Sequence, residues 1–416
     1  MSTSNNRAIA GRQAEVGATT PLWRNRDYLL LWGGQIVSTS GSQVSQLAFP
    51  LLILALTHSP AQAGIVAGLR IIPYLILSLP AGALVDRWDR KRVMIVCDLG
   101  RFLCMASIPV ALLLGHLSML QLYLVSLSEG VLFVLFDLSE VSCLPQVITK
   151  EQLPAATAQN IATYNISALL GSPLGGLLYS IDRFLPFLAD GISYLCSVIS
   201  LLFIKTSFQQ ERTKAARPLL VEIKEGLFWL WEQPLFRFLA LLLCGINLVA
   251  EGITLTVIVL GQHLHASAVD FGLIFSAAGI AGILGSVAAP ILRRHASFYA
   301  LALGTLWPQA FLLPLLILAP NLIVLGAILA FLFFFFPIFD ITQRSKRMAL
   351  IPDELQGRVN SVYRLIVFSG RPLSLALTGL LLQNIGTTPT ILLVTGGFAL
   401  IALLATLNPH IRRADA

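Results

Sequence analysis

Long apolar stretches alternate with short polar ones along this chain. Twelve runs, at about 28–56, 61–85, 93–114, 118–141, 156–180, 185–204, 236–261, 268–291, 298–319, 321–343, 358–383 and 387–407, are apolar over about 20 residues or more, enough for a helix to cross a hydrocarbon core of about 30 Å. Gly and Pro interrupt several of them, which membrane helices tolerate when neighbours satisfy the freed backbone groups. One longer polar interval, 205–235, divides the spans six and six. Within it Leu219–Trp231 carries an apolar face at helical spacing, which predicts a helix on a membrane surface. The expected fold is an all-α membrane protein of twelve transmembrane helices in two six-helix bundles. The expected boundaries are a tail at 1–27, bundles at 28–204 and 236–407, the linker at 205–235, and a tail at 408–416.

Charge orients this pattern. An even span count puts both termini on one side of a cell membrane. The intervals on that side hold Arg24, Arg26, Arg87, Arg90, Lys91, Arg92, Lys150, Lys205, Lys224, Arg293, Arg294, Arg344, Lys346, Arg347, Arg358, Arg412 and others, whereas the opposite intervals hold only Arg183. Such asymmetry marks the cytoplasmic side. Composition agrees, with 56% hydrophobic and 12% charged residues against about 25% charged in soluble domains. The net charge of +7 is thereby explained by the loops, and no nucleic-acid partner is expected. The polar stretch before Arg26 has no apolar core of a cleavable signal, so the first span is expected to direct insertion. Cys97, Cys104, Cys143, Cys196 and Cys244 lie in or beside apolar spans without a CxxC or Cys/His cluster. No disulfide framework, metal site or cofactor is expected.

The two halves repeat. Gly171-Ser172-Pro173-Leu174 in span 5 matches Gly370-Arg371-Pro372-Leu373 in span 11, and Leu144-Pro145-Gln146 matches Ile351-Pro352-Asp353 upstream of each. A parallel repeat with its axis along the membrane normal is a transporter design. Gly171, Gly175 and Gly176 offer a surface for tight helix contact, and Pro173 a bend.

Between spans 2 and 3 the chain reads Gly82-Ala83-Leu84-Val85-Asp86-Arg87-Trp88-Asp89-Arg90-Lys91-Arg92. Gly82 would allow close helix approach. Asp86 could cap the next helix or hold a cation from a neighbouring span, and the basic cluster suits headgroups. This order resembles the G-x-x-x-D-R/K-x-G/D-R/K-R/K signature of the major facilitator superfamily and fits it at every position. Other stretches are similar to the macrolide-efflux and enterobactin-exporter-like branch of its drug:proton antiporters. These are Ala48–Leu52, Glu151-Gln152-Leu153, Gly171–Gly176 and Ile351–Val359. The resemblance implies a cytoplasmic gate containing Gly82, Asp86, Arg87, Asp89, Arg90 and Lys91; Arg101 and Asp137, which counting along spans 3 and 4 sets nearer the cytoplasm, are grouped with it. It also implies an antiporter-like role for Gly171, Pro173, Gly175 and Gly176. Two departures stand out: Ser42, not an acid, follows Gly41 in span 1, and the second-half loop reads only Arg293-Arg294-His295.

Charges at membrane depth cost about 2.5 kcal/mol or more and call for a reason. Counting helical rise places Arg70 and Glu129 near mid-depth in the first half, and Glu251 and Arg371 in the second. Each half thus has an acid and a base, forming either structural ion pairs or a substrate and proton site. Phe331 and Phe333–Phe336 crowd span 10, and up to two could line a cavity. The expected function is secondary active, proton-coupled efflux of a small organic molecule by alternating access. The alternative is an uptake carrier or uncoupled facilitator. No phosphate-binding loop or catalytic constellation occurs, so no enzyme is expected. The expected partners are a small organic substrate, protons and membrane lipid, with the chain acting as a monomer.

Overall fold

The structure is a computed structural model describing residues 21–85, 88–206, 208, 219–352 and 355–412. Its helices start at polar side chains that accept otherwise unpartnered backbone N–H groups. Asn25 caps Arg26–Thr57, Asp89 caps Arg90–Leu113, Ser118 caps Met119–Val147, Ser297 caps Phe298–Leu312 and Asn321 caps Leu322–Leu350. Ser267 and Asp270 form a reciprocal capping box at the start of Ala268–His295. The cap after the second span is therefore Asp89; Asp86 and Arg87 lie outside the described residues.

Among the described residues twelve helical segments are long and apolar enough to cross a membrane, one for each predicted span, and no strand occurs. We number these segments by span. Span 7 is two helices, Pro234–Ala250 and Ile253–His263, broken at Glu251-Gly252. Span 9 ends in a 3-10 turn, Leu313–Leu318. Span 10 runs seven residues past its expected end, to Leu350. This corrects the placement of Arg347 among loop charges. It is 6% exposed, stacks 3.7 Å from the Tyr363 ring centroid and donates to Gln343 and Asn360. The linker helix Leu219–Glu232 packs on the start of span 11, where Arg358 donates to Glu225 at 2.5 Å.

The spans form two bundles that meet along two seams, span 2 against span 11 and span 5 against span 8. Successive spans reverse direction, so residues 85, 88–90, 147–153, 295–298, 350–352 and 355–356 gather on one face, here called the basic face. Near the opposite face the bundles share one apolar core. Leu47, Ala63, Val66 and Phe187 pack there with Leu255, Ile258, Phe271 and Leu382. Toward the basic face each bundle has its own core, one around Met94 and Phe136, the other around Leu239 and Val359.

Glycine makes the seams possible. A Cβ on Gly64 would lie 2.2 Å from the Leu375 carbonyl oxygen, and one on Gly176 2.2 Å from that of Ala268. The repeat is visible here, since Pro60, Gly64 and Gly68 of span 2 stand where Ala268, Gly272 and Ser276 stand in span 8. Gly171 packs on Gln43 of span 1, as Gly370 packs on Cys244 and Leu248 of span 7. Gly82 does not share this role, because nothing lies within 4 Å of a Cβ there. Gly64→Leu is expected to wedge the seam open at the opposite face. Leu382→Cys in a cysteine-free background should then react faster with a membrane-impermeant maleimide; unchanged labelling would contradict the seam's role.

Candidate functional site

The first bundle holds a buried charged network. Arg70 of span 2 donates to Glu129 of span 4 through Nε (2.5 Å) and Nη2 (3.2 Å). Arg101 of span 3 also donates to Glu129, at 3.2 and 2.9 Å, and lies 3.5 Å from Asp98. Tyr194 of span 6 donates to Glu129 at 3.3 Å, and its ring centroid lies 4.1 Å from the Arg101 guanidinium. Glu129 is 1% exposed and Arg101 3%. Two guanidiniums and a phenol thus enclose one carboxylate, and mutual pairing offsets much of the cost of burying these charges.

Span 1 joins this network through hydroxyls. Ser42 Oγ lies 2.8 Å from Tyr194 Oη, and Ser45 donates to the buried Asp190 of span 6. The serine that replaces an expected acid therefore contacts the cluster through Tyr194.

The second bundle has a simpler, more exposed arrangement. Arg371 of span 11 donates through Nε to Glu251 at 2.9 Å, and the two side chains are 36% and 23% exposed. Glu251 occupies the break in span 7. Ser374 of span 11 accepts from the Gly252 N–H at 3.2 Å, and a Cβ on Gly252 would collide with Thr378, 2.0 Å from its Oγ1. A break of this kind, with a charge at its edge, is a recurring way of building a site at mid-depth in a transporter.

The four mid-depth charges thus assemble as one acid–base contact in each half. Arg101, grouped with the gate as a charge nearer the cytoplasm, lies on Glu129 inside the first bundle, eleven residues along span 3 from the basic face. Asp190 and Tyr194 are not among the candidates read from the sequence. Asp190 lies within the predicted span 185–204, so the rule applied to the other buried acids would flag it; Tyr194 has no comparable sequence signal.

Among the other gate candidates, Asp89, Arg90 and Lys91 lie near the basic face, and Asp137 lies ten residues along span 4 from it. Asp89 caps span 3 and pairs with Arg92 at 3.4 Å. Arg90 donates to the Ser142 carbonyl, and Lys91 to the Ile204 carbonyl at 2.6 Å. Both tie the 2–3 loop to its own bundle. Asp137 of span 4 is in no ion pair among the described residues, though the field of Arg364 reaches it. In span 10, Phe331, Phe333 and Phe336 are exposed, while the Phe334 carbonyl oxygen lies 2.1 Å from a Cβ on Gly285 of span 8.

The Major Facilitator Superfamily profile matches residues 31–375. The chain belongs to the Major Facilitator Superfamily. It is 26% identical to multidrug efflux pump Tap of Mycolicibacterium fortuitum, over 93% of this chain and 97% of that one. It is 24% identical to macrolide efflux protein A of Streptococcus pyogenes, over 94% and 98%. Among solved structures, a bacterial homologue of the human lysosomal transporter Spinster, inward-facing and occupied, superposes with a TM-score of 0.76 at 14% identity, covering 95% of this chain and 98% of that chain. A point mutant of the nucleoside transporter NupG gives 0.75 at 13%, covering 92% and 100%. These two show the shared fold. The chain is thus a multi-pass membrane transporter of this superfamily, with efflux pumps among its relatives.

Proposed function

We propose that this transporter exports a small organic molecule by alternating access, driven by protons moving inward. The observation that carries the reading is the Glu251–Arg371 contact at the break in span 7. Its carboxylate is 23% exposed against 1% for Glu129, so of the two acids it is the one a proton can reach. Glu129 is enclosed by Arg70, Arg101 and Tyr194 and is assigned the architectural role in the first bundle. The efflux activity of the relatives, at 26% and 24% identity, supports export as the direction.

The basic face is assigned to the cytoplasm on the loop charges. The shared apolar core would then close the outer side, with the bundles parted toward the cytoplasm, as a carrier awaiting an intracellular substrate should be. Tails 1–27 and 408–416 and linker 205–235 would be cytoplasmic, with bundles at 28–204 and 236–407 acting as one monomeric carrier. The exposed Phe228 and Trp231 of the linker helix would enter the headgroup layer. Phe228→Asp with Trp231→Asp is expected to weaken that anchorage and slow transport severalfold without loss of the twelve spans. Transport at the wild-type rate would remove the anchoring role.

The test of export is a drug panel in an efflux-deficient bacterium. Wild-type protein should raise resistance to at least one compound and reduce its accumulation, and a proton uncoupler should abolish the difference. Uncoupler-insensitive movement in both directions would favour a facilitator instead.

A further inference from the structure

Span 11 carries a second arginine that the acid–base pairs leave over. Arg364 lies eight residues into its helix, about 12 Å along it from the basic face. It does not reach back toward that face. Its Nη2 donates to Tyr74 Oη of span 2 at 2.5 Å, across the seam between the bundles. Its guanidinium lies 5.9 Å from the Tyr74 ring centroid and 5.8 Å from that of Phe368, and the two rings are 6.3 Å apart at 59°. Arg371 flanks the same Phe368 ring at 5.1 Å. Positions 364, 368 and 371 share one helical face, because residues three and four apart are neighbours.

The charges do not balance here. Arg70 and Arg371 each have a carboxylate partner. Arg364 forms no ion pair with any carboxylate among the described residues; Asp137 acts on it only through its field. An exposed guanidinium at this depth must face water or an incoming anion, since lipid would be too costly. A cationic ligand would meet a guanidinium with no carboxylate in contact, the field of Asp137 reaching both it and Tyr74. A planar anion would gain a forked, charge-assisted hydrogen bond and two ring faces.

We propose that Arg364, Tyr74 and Phe368, with Arg371 beside them, form the recognition site for a planar aromatic ligand bearing a carboxylate or phenolate. This rests on reading the space between the bundles as the substrate path. It narrows the substrate from a small organic molecule to an aromatic anion.

The test compares fluorescein, an aromatic anion, with rhodamine 6G, a cation on the same xanthene ring system. Binding is read by fluorescence anisotropy to the purified full chain in nanodiscs. The wild type should bind fluorescein more tightly than rhodamine 6G. Arg364→Gln should weaken fluorescein about ten- to hundredfold, the scale of a lost charged hydrogen bond, and leave rhodamine 6G binding as tight or tighter. Arg364→Lys should recover part of the loss, and Phe368→Leu should weaken fluorescein too. A wild type that binds rhodamine 6G better, or binds no fluorescein, would overturn the proposal even if Arg364→Gln failed to fold. So would equal loss of both dyes in a monodisperse Arg364→Gln protein. Arginine-dependent fluorescein binding with no dye movement in proteoliposomes would instead remove the export reading and leave this site standing.

Discussion

Arg101→Ala is expected to destabilise the first bundle by about 3–5 kcal/mol, the cost of breaking a buried ion pair by removing one partner. The substitution leaves Asp98 without its cation and Glu129 with Arg70 alone, both inside a sealed core. It also removes the guanidinium that lies over the Tyr194 ring. Thermal unfolding followed by size-exclusion fluorescence should show a large drop in melting temperature, or loss of the monodisperse peak. Replacing Arg70, Asp98, Arg101 and Glu129 together with Met, Asn, Met and Leu should restore much of the fold, since a neutral set of similar volume removes the unpaired charges. A single Arg101→Ala protein as stable as wild type would show that the cluster is not what organises the bundle.

Glu251→Gln should behave in the opposite way. Both partners of this contact are partly exposed, so its contribution to stability is screened and stays within about 1 kcal/mol. The amide keeps the size and much of the hydrogen bonding of the acid but cannot release a proton. The protein should fold normally, retain ligand binding, and lose proton-driven transport down to the rate of empty liposomes. Retained gradient-driven transport would move the proton site elsewhere, with Asp98, Glu129 and Asp190 the buried acids of the first bundle. The contrast between Arg101 and Glu251 follows from burial and from the substitution: one truncates a buried partner, the other keeps the shape of a partly exposed one.

Much of this can be read from the chain. Apolar run length marks all twelve spans, because the bilayer imposes one length on every crossing. Counting helical rise also finds the depth of Arg70, Glu129, Glu251 and Arg371, and the acid and base in each half. What it does not provide is direction around the helix axis. Arg101 groups with the gate in the sequence because counting along span 3 sets it nearer the cytoplasm than the acid–base pairs, though its side chain meets Glu129. Only the packing of span 3 against spans 4 and 6 shows that it points to Glu129. Gly82 fails for a related reason: a glycine near a helix end reads as a close contact until the neighbour is seen to be absent.

Span 7 shows a different limit. Glu251 is legible as a buried acid, yet the break beside it is not, since nothing in the apolar pattern stops there. Gly252 is the local cause, because it lets span 11 approach so closely that Thr378 takes up the space of a side chain. Arg347 shows a third limit. Its neighbours Arg344 and Lys346 make a loop of basic residues plausible, but the Tyr363 ring and the Gln343 and Asn360 side chains give it a buried place on an extended span 10.

The most direct test of proton-driven export uses proteoliposomes loaded with substrate, the compound taken from the resistance panel. Substrate movement is followed as a pH gradient is imposed, for wild type and Glu251→Gln side by side. The account predicts that the gradient drives substrate against its concentration in the wild type only, with the mutant folded and able to bind. Equal gradient-driven transport by both proteins, or movement in the wild type that ignores the gradient, would contradict it.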